Sequence, residues 1–218
     1  MKPSAAMREY LAEIYRLQED EPTVSTTSLA ERLGVSAPAV PRMLKRLKSD
    51  GLVKHVPYQG VELTELGRRE ALRELRRHRI LEVFLVEVMG FSWDEAHEHA
   101  DQLGQGLNDA LTARMAEMTG EPERCPHGEP IPNAQGELPE VDDIAMINLG
   151  VGTSGVISRV RTHDPERLRY FHSLELVPGQ TFTIVGRAPF NGPMRLRVGR
   201  DEVVLGVELT KQLWVTPD

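Results

Sequence analysis

The sequence predicts an α+β fold in which a helical N-terminal part, opening on a winged helix-turn-helix, is followed by a small β-barrel. Three observations carry that prediction. Apolar residues recur at helical spacing as far as residue 118, interrupted between Val24 and Gly51 by a short capped helix, a Gly turn and a second helix. Proline and glycine then crowd residues 120–139. From Leu149 onward, short alternating apolar runs separated by Gly and Pro turns have the texture of strands.

Composition sets the outer limits. A chain of 218 residues accommodates one to three domains, and 5 % aromatic with 27 % charged residues is ordinary for a soluble globular protein. No apolar run approaches the roughly 20 residues of a membrane span, and the N-terminus lacks the basic-then-apolar layout of a signal peptide. No membrane association and a cytoplasmic location are expected. One cysteine, Cys125, excludes an internal disulfide framework and fits a reducing compartment. The net charge of -7 argues against a nucleic-acid partner until its distribution is read. Residues 1–80 hold 15 Lys/Arg against 11 Asp/Glu, whereas the rest of the chain holds 11 against 22. A basic first third joined to an acidic remainder implies that only the first part touches phosphates.

Residues 4–20 form the first helix, with Ser4 as cap and Met7, Tyr10, Leu11, Ile14 and Leu17 as its apolar stripe. Glu9 sits off that stripe, by default a solvated carboxylate. Ser25 or Thr26 then opens a short helix, Gly34 makes the left-handed turn, and Ser36 caps a helix that runs through Leu47 and stops before Gly51. Ala30, Leu33, Val35, Val40, Leu44 and Leu47 make its core, leaving Ala37, Pro38, Arg42, Lys45, Arg46 and Lys48 outside. Such a helix suits a major groove: Ala37 and Pro38 are placed for thymine methyl groups and Arg42 for a guanine or a phosphate. Pro41 removes one backbone donor and predicts a slight bend. Leu52 to His55 and Val61 to Leu63, around Tyr58-Gln59-Gly60, read as the two strands of a wing, with Lys54 and Tyr58 placed for backbone phosphates. Thr26 completes the DNA-facing set. A winged helix used only for protein contacts is the alternative.

Thr64, followed by Glu65, caps a long helix that carries His78 and Glu82 four residues apart and closes at Gly90. A second helix starts at Ser92, carries His97 and Asp101 four residues apart, and runs to Met118 with Ala96, Ala100, Leu103, Leu107, Leu111 and Met115 spaced for burial. Residues at i and i+4 share a helix face, so each pair can converge on one cation. Folded back antiparallel, the two helices could bring His78, Glu82 and His97 together. Each pair taken alone fits solvated polar faces equally well. A DNA reader with one recognition helix needs a twin for two half-sites, and this helix pair is the candidate homodimer interface.

The Pro/Gly-rich stretch reads as a linker, and within it Cys125-Pro126-His127 offers a thiolate and an imidazole as a two-ligand clip for a transition metal. An incidental free cysteine beside a surface histidine is the bland alternative. Strands are expected at 155–160, 181–185, 194–198 and 203–205, with a short helix from Asp164 to Glu175 for which Asp164 is the natural N-cap.

Taken together, Leu29-Ala30-Glu31-Arg32-Leu33, Ser36-Ala37-Pro38-Ala39-Val40, Arg77-His78-Arg79 and Pro130-Ile131-Pro132 resemble the diphtheria-toxin-repressor family of metal-dependent regulators. The likeness spans nearly the whole chain and is strongest in its first 90 residues; the Cys-x-His pair points to the manganese-responsive, three-domain branch. That resemblance implies a winged-helix DNA-binding domain at 1–73, a helical metal-binding and dimerisation domain at 74–140 with a linker to about 149, and an SH3-like, FeoA-type domain at 150–218. It implies an ancillary metal site of His78, Glu82, His97 and Asp164. It also implies a primary site of Glu9, Asp101, Cys125 and His127, tying the DNA-binding domain to the dimer helix. Two further family ligands align with Gly104 and Gln105; Gln105 can offer a carbonyl oxygen, and His99 and Glu13 are the substitutes considered. Ser36, Pro38, Ala39 and Arg42 match the DNA-reading positions. The implied function is a Mn(II)-activated repressor of metal-uptake genes on a palindromic double-stranded operator, with Fe(II) as the alternative cation and Zn(II), Co(II) or Cd(II) as substitutes in vitro. No small organic substrate and no enzymatic activity are expected. A metal-independent winged-helix regulator and a metallohydrolase are the competing classes.

Overall fold

A computed structural model of the chain describes residues 3–56, 60–162 and 164–218. Tyr58, expected to touch phosphate, lies outside the described residues. The chain divides into two compact units, one of Met1–His78, Gly104–Thr112 and Ile131–Pro139, the other of Arg79–Leu103, Ala113–Pro130 and Glu140–Asp218.

In the first unit, α1 (Ala5–Gln18) is capped by Ser4, whose Oγ accepts the Met7 N–H at 3.4 Å. Helix α2 (Thr26–Leu33) is capped by Ser25 and ends at Gly34 with φ 62, the left-handed stop that glycine takes without strain. The next helix, α3 (Ala39–Ser49), departs from expectation. Its N-cap is Pro38 with no side-chain bond, and Ser36 contributes its carbonyl, which accepts the Ala39 N–H at 2.9 Å. The later start puts Pro41 in the first turn, where an N–H has no partner inside the helix, so the proline removes no ladder bond. Strands β1 (Val53–Val56) and β2 (Gly60–Leu63) pair antiparallel, and Val24 joins Val61 through two backbone bonds. Thr64 caps α4 (Glu65–Glu87), accepting the Gly67 N–H at 3.0 Å while donating to the Gly51 carbonyl at 2.7 Å. Leu11, Ile14, Leu29, Val40, Leu44, Leu47 and Leu75 are fully buried in the core of this unit, each contributing roughly 1.5–3 kcal/mol of apolar burial.

The second unit takes up α4 from Arg79. Gly90 closes that helix with φ 77, as read from the sequence. The following helix is not continuous: α5 (Trp93–Gly104) stops, and α6 (Asp109–Met118) restarts with Asn108 Oδ1 accepting the Leu111 N–H at 3.0 Å. The break falls on Gly104-Gln105-Gly106, two poor helix formers close together, and it leaves Leu103 and Leu111 exposed rather than buried.

A six-stranded antiparallel sheet follows in the order β3-β8-β4-β5-β6-β7, formed by β3 (Ile144–Ala145), β4 (Ser154–Val160), β5 (Thr181–Arg187), β6 (Met194–Val198), β7 (Asp201–Leu205) and β8 (Leu213–Pro217). Irregular registers at Ile157/Arg159 and Ile184/Gly186 let it curl into the small SH3-like domain. Strands β3 and β8 lie outside the expected set, although Leu213-Trp214-Val215 alternates in burial as a strand should. Helix α7 (Pro165–Ser173) is capped by Asp164, and its Leu168 and Phe171 enter a core with Ile157, Leu196, Leu205, Leu213 and Val215. Among the described residues no helix is long and apolar enough to cross a membrane.

Candidate metal centre and nucleic-acid interface

The stretch read as a linker holds no helix or long strand, yet much of it is buried. Cys125 N–H donates to the Glu129 carbonyl at 2.9 Å and Gly128 N–H to the Cys125 carbonyl at 2.8 Å, closing a tight turn with Gly128 at φ 83. A Cβ at Gly128 would sit 2.0 Å from the Ser158 carbonyl oxygen, so only glycine lets the turn lie against β4. The Val160 N–H then ties the turn down by donating to the His127 carbonyl at 2.9 Å.

That turn places Cys125 and His127 over the inner face of α4. Glu82, Cys125 and His127, at 2 %, 6 % and 3 % exposure, each offer a ligand atom within 4.8 Å of the others. Glu82 Oε1 lies 3.5 Å from His127 Nδ1 and 2.7 Å from His97 Nδ1, and Cys125 Sγ lies 3.9 Å from His127 Nδ1. His127 Nε2 donates to the Trp93 carbonyl at 2.8 Å. A carbonyl can only accept, so the Nε2 proton is fixed and Nδ1 is aimed at Glu82 and Cys125. Burial opposes protonation of His127, but the Glu82 carboxylate and Cys125 outweigh it and hold the imidazole well above its usual pKa. Burial, reinforced by Glu82, pushes the Cys125 thiol up.

A carboxylate oxygen, a thiol and an imidazole nitrogen converging in a buried pocket form a donor set that fits a divalent transition metal, the cation taking the place of shared protons. His97 extends the set, with its Nε2 3.6 Å from Asp101 Oδ2, one helical turn on.

The grouping differs from the one expected. Glu82, assigned with His78 and His97, also faces His127, because it points inward from α4 beneath the turn. Asp101, assigned with Cys125, pairs with His97 and is exposed. His78 stands one turn before Glu82 on α4, half-buried. Glu9 and Gln105 are exposed in the first unit. Asp164 is exposed and committed to capping, its Oδ1 accepting the Glu166 and Arg167 N–H groups at 2.9 and 3.3 Å. Of the two substitutes, His99 lies against the Phe91 ring at 4.5 Å. Glu13 is held between Arg16 and Arg32, which against the effect of burial keep its carboxyl below the usual range.

The Trp93 carbonyl as orienting acceptor, and a buried set of charges on Arg79, Glu129, Asp143 and Arg159, are not among the expected site residues. Backbone carbonyls leave no residue-type signal; Arg159 inside an apolar run was the trace of the second.

In the first unit, Ser36, Ala37, Pro38, Arg42, Lys45, Arg46 and Lys48 are exposed, Ala39 and Thr26 half-buried, and Lys54 is exposed on β1. Val40, Leu44 and Leu47 face inward on α3, so its polar side is presented as one basic surface. Lys48 reaches the wing, its Nζ donating to the His55 carbonyl at 3.2 Å.

Three family descriptions match this chain: "Iron dependent repressor, N-terminal DNA binding domain" over residues 3–61, "Iron dependent repressor, metal binding and dimerisation domain" over 64–133, and "FeoA domain" over 145–217. The chain is 30 % identical over 212 residues to the iron-dependent repressor IdeR of Mycobacterium tuberculosis (strain ATCC 25618 / H37Rv), covering 92 % of each. It is similar to a solved manganese-dependent transcriptional repressor in complex with manganese, with 36 % identity, a TM-score of 0.91 and coverage of 97 % of this chain and 100 % of that one. It is also similar to a structure of ScaR with bound Cd2+, at 28 % identity, TM-score 0.85 and coverage of 96 % and 98 %.

Proposed function

Because the chain belongs to the diphtheria-toxin and iron-dependent repressor family of metal-dependent, DNA-binding transcriptional repressors, we propose that it is a Mn(II)-activated repressor of metal-uptake genes. It acts in the cytoplasm as a homodimer on a palindromic operator. The convergence of Glu82, Cys125 and His127 in a buried pocket carries this reading. These three residues hold the regulatory ion, with His97 and Asp101 beside them as an ancillary pair. When bound, the ion supplies the positive charge that a buried carboxylate and thiolate need in order to stay deprotonated together. The Trp93 carbonyl keeps His127 Nδ1 turned inward, and the turn at Gly128 holds the thiol and imidazole over α4. Helix α4 carries Leu72 and Leu75 in the core of the DNA-binding unit and Glu82 in the pocket, which makes it the element through which occupancy and DNA competence are linked.

Ser36, Ala37, Pro38, Ala39 and Arg42 read base edges in this proposal, and Thr26, Lys45 and Lys54 hold phosphates. Val88, Met89, Leu103, Leu111 and Met118 are exposed apolar residues within the segment matched as a dimerisation domain, and a second copy of the chain covers them. Carboxylate and imidazole donors suit Mn(II), and the manganese-bound relative supports that choice. Fe(II) is the second reading, favoured by the softer Cys125 sulfur.

Glu82→Gln tests the assignment. The substitution keeps shape and removes the charge that balances the ion. Equilibrium dialysis should show bound Mn(II) lost, and gel shifts should show operator binding no longer responding to Mn(II). Undiminished Mn(II) binding by this variant sinks the ligand set.

A further inference from the structure

Beside the ion pocket, within the same unit, lies a set of charged side chains that neither the proposed ligands nor the DNA face uses. Arg79 on α4, Glu129 in the turn and Arg159 on β4 are 5 %, 7 % and 8 % exposed, and the Asp143 side chain, just ahead of β3, is 1 % exposed. Glu129 Oε2 lies 3.3 Å from Arg79 Nη2 and 3.4 Å from Arg159 Nη1, so one carboxylate is shared by two guanidinium groups. Arg79 also donates from Nη1 to the Pro130 carbonyl at 2.6 Å. Arg159 donates from Nη2 to Asp143 Oδ1 at 2.9 Å and lies over the Trp214 ring at 4.4 Å, while Ser158 Oγ donates to Asp143 Oδ2 at 2.8 Å. The set is two cations and two anions. It is neutral by itself, and of the Arg159 guanidinium only Nη1 and Nη2 are engaged, Nε being buried with no hydrogen-bond partner.

Burying four charges is a poor way to gain stability, since apolar residues of similar volume serve at least as well. What the set does achieve is position. Glu129 is two residues beyond His127 and four beyond Cys125, and it is gripped from α4 on one side and from β4 on the other. Together with the Val160 to His127 backbone bond and the contact of Gly128 on Ser158, this fixes where the turn sits over Glu82. We propose that the Arg79, Glu129, Arg159 and Asp143 network positions Cys125 and His127 for ion binding, so that β4, within the segment matched as the FeoA domain, and Asp143, just ahead of β3, set the affinity of a pocket whose ligands they do not supply. The inference rests on the ligand set proposed above; these four are positioning residues.

The test uses the full chain and three variants: Asp143→Asn, Arg159→Lys, and Glu202→Gln as an exposed control on β7. Dissociation constants for Mn(II) are measured by competition with a chromophoric chelator. Absorption of bound Co(II) is recorded because it contains a thiolate-to-metal band when Cys125 ligates, and melting of the metal-free forms is followed in parallel. Asp143→Asn and Arg159→Lys should weaken Mn(II) binding by about tenfold, the scale on which partners behind metal ligands act, and should shift or weaken the thiolate band. Glu202→Gln should match the parent. Parental affinity and an unchanged Co(II) spectrum in Asp143→Asn, even with a lowered melting temperature, show that the network serves stability alone and overturn the inference. Asp143→Asn, nearly isosteric, keeps the test decisive if Arg159→Lys fails to fold. An unsubstituted chain that binds neither Mn(II) nor Co(II) refutes the ligand set itself, and the positioning role falls with it.

Discussion

His127 concentrates the chemistry of the pocket in one side chain. Its Nε2 proton is committed to the Trp93 carbonyl, and its Nδ1 faces a carboxylate and a thiol. In the metal-free protein that environment raises its pKa well above the ordinary imidazole value in spite of burial. The consequence for stability has a definite sign. An unfolded histidine titrates near 6.5, so the imidazolium bound to Glu82 stabilises the metal-free fold fully below about pH 6.5 and loses that contribution as pH rises through the raised folded value. Melting temperatures of the metal-free chain should therefore fall on going from about pH 6.5 into the alkaline range, and His127→Gln should flatten the decline. An equally steep fall in His127→Gln assigns the dependence to other groups. Added Mn(II) should reverse the trend, because a cation competes with protons for these atoms and binds better as they leave. The helical spacings of His78 with Glu82 and His97 with Asp101 were legible as donors on common faces. Which loop would come down on Glu82 was not, because nothing in the spacing of Cys125 and His127 says where the turn lands.

At the level of elements, the landing place is decided by close backbone approach. Gly128 has no room for a Cβ against Ser158 and takes a left-handed φ of 83, whereas a Cβ at Gly104 would meet nothing within 4 Å. Gly128→Ala should thus lower the melting temperature and weaken Mn(II) binding together, while Gly104→Ala, in the last position of α5, should leave both unchanged or raise stability slightly. Equal behaviour of the two variants, measured by calorimetry and metal titration, contradicts the role given to the turn. The same physical terms explain which elements could be read in advance. Ser4, Ser25, Thr64 and Gly90 act through local hydrogen bonds or local dihedral preference, so α1, α2 and both ends of α4 were visible in the residues. Ser36 misleads because its carbonyl, not its hydroxyl, meets Ala39. The split between α5 and α6 was signalled by two glycines and Asn108 but masked by the continuing apolar period. Strand β8 lies between β3 and β4, a pairing fixed by distant partners that no local pattern encodes.

For the whole molecule, a surplus of positive charge in residues 1–80 and of negative charge beyond them divides the labour. The basic face of α3 is available to phosphates, and the net negative charge of the remainder disfavours contact with them. The fold class and the class of function were legible from periodicity, glycine and proline punctuation, and resemblance. In the function proposed here, a divalent ion converts this chain into a tight DNA binder. The most direct measurement takes duplexes selected from random sequence by the Mn(II)-loaded protein and titrates them with the purified chain, first in Mn(II) and then with a chelator in excess at the same ionic strength. The selected site should be two-fold symmetric, and binding should weaken by at least tenfold in chelator, a change of about 1.4 kcal/mol, and recover on returning Mn(II). Binding of equal strength in both conditions would contradict that function.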